Sequence, residues 1–201
     1  MDHIRARVEE IRKSYDFLRN GELPVDVLTF AELELKLEPI LVPGLNEKFR
    51  IEAAIGFDFE TLLVDHDQYL NIDQKRPWRH RRFMFSVAHE LGHYFLHKDI
   101  PETGNYSSLE SYHEWTQSYN GRMYTIEQEA NEFAGALLVP PQRLTAMMEE
   151  RISAYREQSG YNGPLTPAIR EFFCDSAADR FQVNPAVISV RLDREGFWPA
   201  N

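Results

Sequence analysis

A chain of 201 residues, 43% hydrophobic and 12% aromatic, is long enough to bury one ordinary core. Its formal net charge of −10 argues against general binding of phosphate backbones and suits docking to a basic partner. No apolar run approaches the roughly 18 residues of a membrane span, and the single cysteine, Cys174, excludes an internal disulfide.

The charged start Met1-Asp2-His3-Ile4-Arg5 has no apolar signal core behind it, so a reducing, cytoplasmic compartment is expected. Residues 2–19 predict an amphipathic helix. Ile4, Val8, Ile11, Tyr15 and Leu18 step by four and three along one face, and Asn20-Gly21 ends it. Pro24 opens a second helix through Val27, Leu28, Ala31 and Leu35. Pro39 to Pro43 brackets a short strand, Ile40-Leu41-Val42.

Ile51 to Ile55 and Thr61 to Val64 are strand-like. Asp65-His66-Asp67-Gln68 then reads as a turn, with strand resuming over Tyr69 to Ile72. A small antiparallel sheet is the expectation for this region. Pro77-Trp78 leads into a helix over 79–97. The basic run Arg76, Arg79, His80, Arg81 and Arg82 reads as its solvated start.

Residues 98–124 read as a long loop with many aromatic residues, either a lid or an insertion. A helix follows over 125–139, capped by Thr125 and stopped by Pro140-Pro141. Further helices are expected over 141–157, from Thr166-Pro167 to about Phe181, and from Asn184-Pro185 to about Arg194. With no repeat, low-complexity tract or linker, 1–201 is expected to be a single domain.

The chemistry is concentrated in His89-Glu90-Leu91-Gly92-His93. On a helix, residues four apart share a face, so the two imidazoles can supply two of three protein ligands to a tetrahedral zinc. Glu90, beside the first ligand, can take a proton from a metal-activated water. Gly92 is costly inside a helix, by about 1 kcal/mol against alanine. With Ala88 one turn earlier, it asks for a closely packed partner helix.

The third ligand should be an acid or histidine on another element. Glu127, Ala130, Asn131, Ala134 and Leu138 share a face of the 125–139 helix, and the alanines permit a close crossing. Glu127 is preferred to Glu129, which points about 160° away at 100° per residue. Asn131 can hold a ligand imidazole by a hydrogen bond. His97 extends the histidine stripe and either orients the site or caps the helix. His113 and Tyr124 are candidates for stabilising an oxyanion. Two histidines and a carboxylate suit zinc, and also manganese or iron.

The run from Arg82 to His97, followed by Glu127-x-x-Ala130-Asn131-x-Phe133-Ala134-x-x-Leu137-Leu138-Val139-Pro140, resembles the ImmA/IrrE family of zinc metallopeptidases. Ala177 to Leu192 is similar to that family's closing helices. The resemblance implies an α+β, zincin-like (gluzincin-like) domain, mostly helical, with Glu127 as third ligand. It also implies a protein substrate: a helix-turn-helix transcriptional repressor encoded nearby, or an antitoxin. The alternative is a regulatory or DNA-binding protein carrying a structural or sensory zinc, with residues 166–195 as a helix-turn-helix-like pair. Its Arg170, Arg180, Arg191 and Arg194 are matched by five acids, whereas a recognition unit should be basic. No direct nucleic-acid binding and no membrane association are therefore expected.

Overall fold

The computed structural model describes residues 1–56, 58–70, 76–100, 110–111 and 122–197. Among the described residues, five helices and three strands precede a long helical half. The first elements are α1 (Asp2–Ser14), α2 (Asp16–Arg19), α3 (Val27–Thr29) continued by a π-helical turn (Phe30–Glu34), and β1 (Glu38–Val42). Next come α4 (Leu45–Phe49), β2 (Ala53–Ile55), β3 (Thr61–Asp65) and α5 (His66–Leu70). The long helices are α6 (Pro77–Leu96), α7 (Arg122–Leu138), α8 (Pro141–Ser159), α9 (Pro167–Phe181) and α10 (Pro185–Arg194). This is an α+β, zincin-like arrangement, mostly helical, with its sheet ahead of the motif helix. Among the described residues, no helix is long and apolar enough to cross a membrane.

The sheet has the order β1-β3-β2 and is mixed, not purely antiparallel as expected. β2 and β3 pair antiparallel, with Ala53 opposite Val64, whereas β1 runs parallel to β3, with Glu38 opposite Thr61. The stretch 43–60 separates β1 from β3 and supplies the long crossover that a parallel pair requires.

Local structure departs from the expectation in four further places. The 2–19 helix breaks at Tyr15, whose backbone is extended (φ −111°, ψ 121°). That break lets its ring meet Phe30 edge-on at 5.1 Å and approach Phe95 at 6.4 Å. Residues 66–70 are helical where strand was to resume at Tyr69. Asp65 Oδ1 accepts from the Gln68 N–H at 3.1 Å, so this acid starts a helix instead of a turn. Helix α6 begins at Pro77 with the proline in its first turn, and α7 begins at Arg122, with Thr125 inside it. Most of the expected 98–124 loop lies outside the described residues.

Helix α6 packs most extensively against α7. At the crossing, Gly92 faces Ala130: a Cβ added at 92 would lie 2.9 Å from the Ala130 Cα and 3.1 Å from its carbonyl oxygen. Val87, Ala88, Leu91, Ala130, Phe133, Ala134 and Leu137 are buried around this contact, and Phe95 stacks on Phe133 at 5.7 Å. The apolar face of α1 closes the same core, with Ile4, Val8 and Ile11 buried.

Buried charge holds α7 from its other sides. Arg12 of α1 donates to the Ala136 carbonyl at 3.0 Å and to the Leu137 carbonyl, satisfying the end of α7. Burial lowers the Arg12 guanidinium to about 10. Arg191 of α10 donates to Glu132 of α7 at 2.9 Å, both side chains being buried. Arg194 Nε and Arg5 Nε lie 3.4 and 3.7 Å from the same carboxylate.

Gly92→Ala is expected to destabilise the metal-free protein by about 1–3 kcal/mol in urea denaturation, because backbone overlap outweighs the gain in helix propensity. Arg191→Met is expected to cost about 3 kcal/mol, the low end for a broken buried pair, because Arg5 and Arg194 remain near Glu132. In the same assay the double variant Arg191→Met/Glu132→Gln should recover part of that loss.

Candidate metal centre

The i, i+4 spacing on α6 sets the His89 and His93 rings side by side, with centroids 4.8 Å apart and their Nε2 atoms 3.0 Å apart. Across the Gly92–Ala130 contact, α7 brings in Glu127. Its Oε2 lies 3.0 Å from His89 Nε2 and its Oε1 lies 3.5 Å from His93 Nε2. All three groups offer a ligand atom within 4.8 Å of the others, and among the described residues this is the one such group of three.

These spacings fit a metal. Ligands at 2.0–2.1 Å around a tetrahedral zinc lie about 3.3 Å from one another, between the 3.0 and 3.5 Å found here. The donor set also suits other borderline divalent ions. Electrostatics agree with a site made for a cation. Burial works to raise Glu127, but the neighbouring His89 and His93 rings hold its carboxyl far below the usual range. Burial pulls His89 down, yet the hydrogen bond to Glu127 and the charges of Glu90 and Glu127 raise it overall.

His89 is fixed from behind. Its Nδ1 lies 3.1 Å from Asn131 Oδ1, one turn beyond Glu127. A carbonyl oxygen only accepts, so the neutral ring carries its proton on Nδ1 and presents the Nε2 lone pair to the site. Glu90 is 4% exposed. Its Oε2 accepts from the Ile55 N–H, at the end of β2, at 2.8 Å. Burial raises the Glu90 carboxyl, with His93 and His89 acting in the opposite direction.

His97 is buried at the end of α6, with Nδ1 3.0 Å from His93 Nδ1 and Nε2 3.1 Å from Glu129 Oε2. Sequence reasoning left Glu129 aside because it points away from Glu127. The structure resolves this through Ala130, which faces Gly92. At 100° per residue, Glu127 lies about 60° to one side of Ala130 and Glu129 about 100° to the other. The two acids thus flank the contact line and meet different histidines. Tyr124, on the first turn of α7, is 59% exposed, and His113 lies outside the described residues.

The surroundings complete the frame. Buried Glu52 accepts from Ser86 Oγ at 3.1 Å and pairs with Arg82 at 2.8 Å, tying the first half of α6 to the residues before β2. Arg81 of the same basic run pairs with Asp179 at 2.6 Å. Beside the site, a cavity of about 310 Å³ opens between Phe85, Asn131, Val187, Val190 and Arg194. None of these long-range partners has a spacing signal in the sequence.

The family described as IrrE N-terminal-like domain, peptidase M78, matches residues 65–193. That span runs from the end of β3 through α10. It contains both helices of the metal centre but neither Ile55 nor Arg12. No curated protein matches the chain. A helix carrying His89-Glu90-x-x-His93, crossed by one carrying Glu127, thus occurs inside a matched span covering well over half the sequence, and the chain belongs to the IrrE N-terminal-like (peptidase M78) family of metallopeptidases.

Proposed function

We propose that residues 1–201 act as one cytoplasmic, zinc-dependent endopeptidase domain whose substrate is a helix-turn-helix repressor or antitoxin encoded nearby. The observation that carries the reading is the convergence of His89 Nε2, His93 Nε2 and the Glu127 carboxylate, with Glu90 buried beside them. His89, His93 and Glu127 would hold the metal, and Asn131 and His97 would orient the two imidazoles. A bound zinc lowers the pKa of a coordinated water toward neutrality and polarises a carbonyl.

Glu90 then serves as general base. Its carboxyl is fixed through one oxygen by the Ile55 N–H, and burial raises its pKa, which makes it the better proton acceptor. It takes the proton from the attacking water and passes it to the leaving amine. His113 or Tyr124 would stabilise the oxyanion formed at the scissile carbonyl. The cavity beside Asn131 would take a substrate side chain.

The repressor assignment rests on the ImmA/IrrE resemblance and on charge. A net charge of −10 favours encounter with a basic, DNA-binding partner. The same charge works against DNA binding by this chain. In the α9–α10 pair, Arg170 is bonded to Ser189 and Asp193, and Arg191 is buried against Glu132. Those arginines hold the fold and are not presented as a recognition surface.

Elemental analysis of the purified chain is expected to find about one zinc, greatly reduced in Glu127→Ala. No metal in the wild type after zinc is supplied would sink the metallopeptidase reading. Glu90→Gln is expected to keep its zinc while cleavage of the neighbouring repressor, followed by mass spectrometry, slows on the order of 10²–10⁴-fold. A zinc-loaded Glu90→Gln that cuts at the wild-type rate removes Glu90 as the base.

A further inference from the structure

Behind the candidate ligands, His93, His97 and Glu129 form a continuous hydrogen-bonded row. His93 Nδ1 meets His97 Nδ1 at 3.0 Å, and His97 Nε2 meets Glu129 Oε2 at 3.1 Å. The His97 ring is 1% exposed. Its place is fixed by the helix end: the His97 N–H still bonds the His93 carbonyl at 2.9 Å, so the ring stands one turn beyond His93. Glu129, whose side chain is 25% exposed, closes the row at its outer end.

The directions of these bonds follow from chemistry. A carboxylate only accepts, so His97 places a proton on Nε2, toward Glu129. A neutral imidazole with its proton on Nε2 has a lone pair on Nδ1. Two facing ring nitrogens can bond only when one of them carries the proton, so the proton between the rings belongs to His93 Nδ1. His93 Nε2 is then left as a lone pair which, like that of His89, is directed at the position a metal would take between the two rings and Glu127. The 3.0 Å between the two Nε2 atoms is therefore a ligand–ligand spacing with no proton in it. Had the row run the other way, His93 would present an N–H to the metal position.

We propose that Glu129, acting through His97, sets the tautomer and orientation of His93, so that Glu129 and His97 are positioning residues for metal capture. The proposal rests on the reading of His89, His93 and Glu127 as a metal centre. It gives the two imidazoles different supports: an amide, Asn131, for His89, and an imidazole backed by a carboxylate for His93. Helix α7 supplies both supports as well as the third ligand. Glu127 and Glu129 divide the work from opposite flanks of Ala130. A ligand imidazole backed by an acceptor is the more basic donor, and loss of such support costs metal affinity about 10–100-fold.

The test pairs zinc affinity, by competition with a chromophoric chelator, with ¹⁵N NMR of the histidine rings in the zinc-loaded protein. In the wild type, His97 should carry its proton on Nε2 and His93 on Nδ1. Glu129→Ala should weaken zinc binding about 10–100-fold and release His97 from that tautomer. Glu129→Gln, whose amide oxygen still accepts from His97 Nε2, should restore the tautomer and much of the affinity. A rescue of this kind is not expected from a merely structural glutamate. Thermal unfolding of the metal-free variants checks that the fold is intact, and Glu129→Gln serves if Glu129→Ala is unstable. Wild-type zinc affinity in Glu129→Ala, or a wild-type His97 protonated on Nδ1, overturns the proposal. A wild type that binds no zinc overturns the underlying metal reading instead.

Discussion

The close approach of two helix backbones at Gly92 and Ala130 is the constraint on which the site depends. Any side chain at 92 would strike the Ala130 backbone, so glycine sets how near α7 can lie to α6. That distance decides whether Glu127 reaches His89 and His93 and whether Glu129 reaches His97. Metal–ligand distances tolerate only about ±0.2 Å, so helices held apart by ordinary side chains would leave Glu127 short of a metal shared with His89 and His93. The glycine weakens its own helix by about 1 kcal/mol, and the packing of Leu91, Phe95 and Phe133 around it offsets that cost.

Helix α7 is held from several directions as well as toward the site. On one flank it offers Glu127 and Asn131. On another, Glu132 is taken by Arg191, with Arg5 and Arg194 nearby, and its final carbonyls are taken by Arg12. Buried ion pairs contribute little net stability, but removing one partner is severely destabilising. A rotation or slide of α7 would separate several such partners at once. These pairs therefore fix the register that aims the carboxylates at the histidines.

The small sheet contributes through Ile55 and Glu52. The Ile55 N–H ends β2 and holds one oxygen of Glu90, while Glu52, just before β2, receives Ser86 and Arg82 from the first half of α6. The sheet thus positions α6 along its length and points the Glu90 carboxyl. Keeping Glu90 out of water raises its affinity for a proton.

The sequence by itself determined what is local. The i, i+4 histidines, the intervening glutamate, the apolar stripe of α1, the Thr166 cap of α9 and the proline-led start of α10 are all readable within a few residues. Helical periodicity and cap chemistry act over one or two turns. Even the unusual Gly92 announced a partner helix, because its cost had to be met by packing. Only the tertiary structure decided the parallel pairing of β1 with β3, the break at Tyr15 that serves Phe30 and Phe95, and the helix that Asp65 starts. The partnerships of Ile55 with Glu90, His97 with Glu129 and Glu132 with Arg191 likewise needed the fold. These join residues 32 to 59 positions apart. No periodicity records such pairs, because they exist only once two backbones have been brought within a side chain's reach of each other.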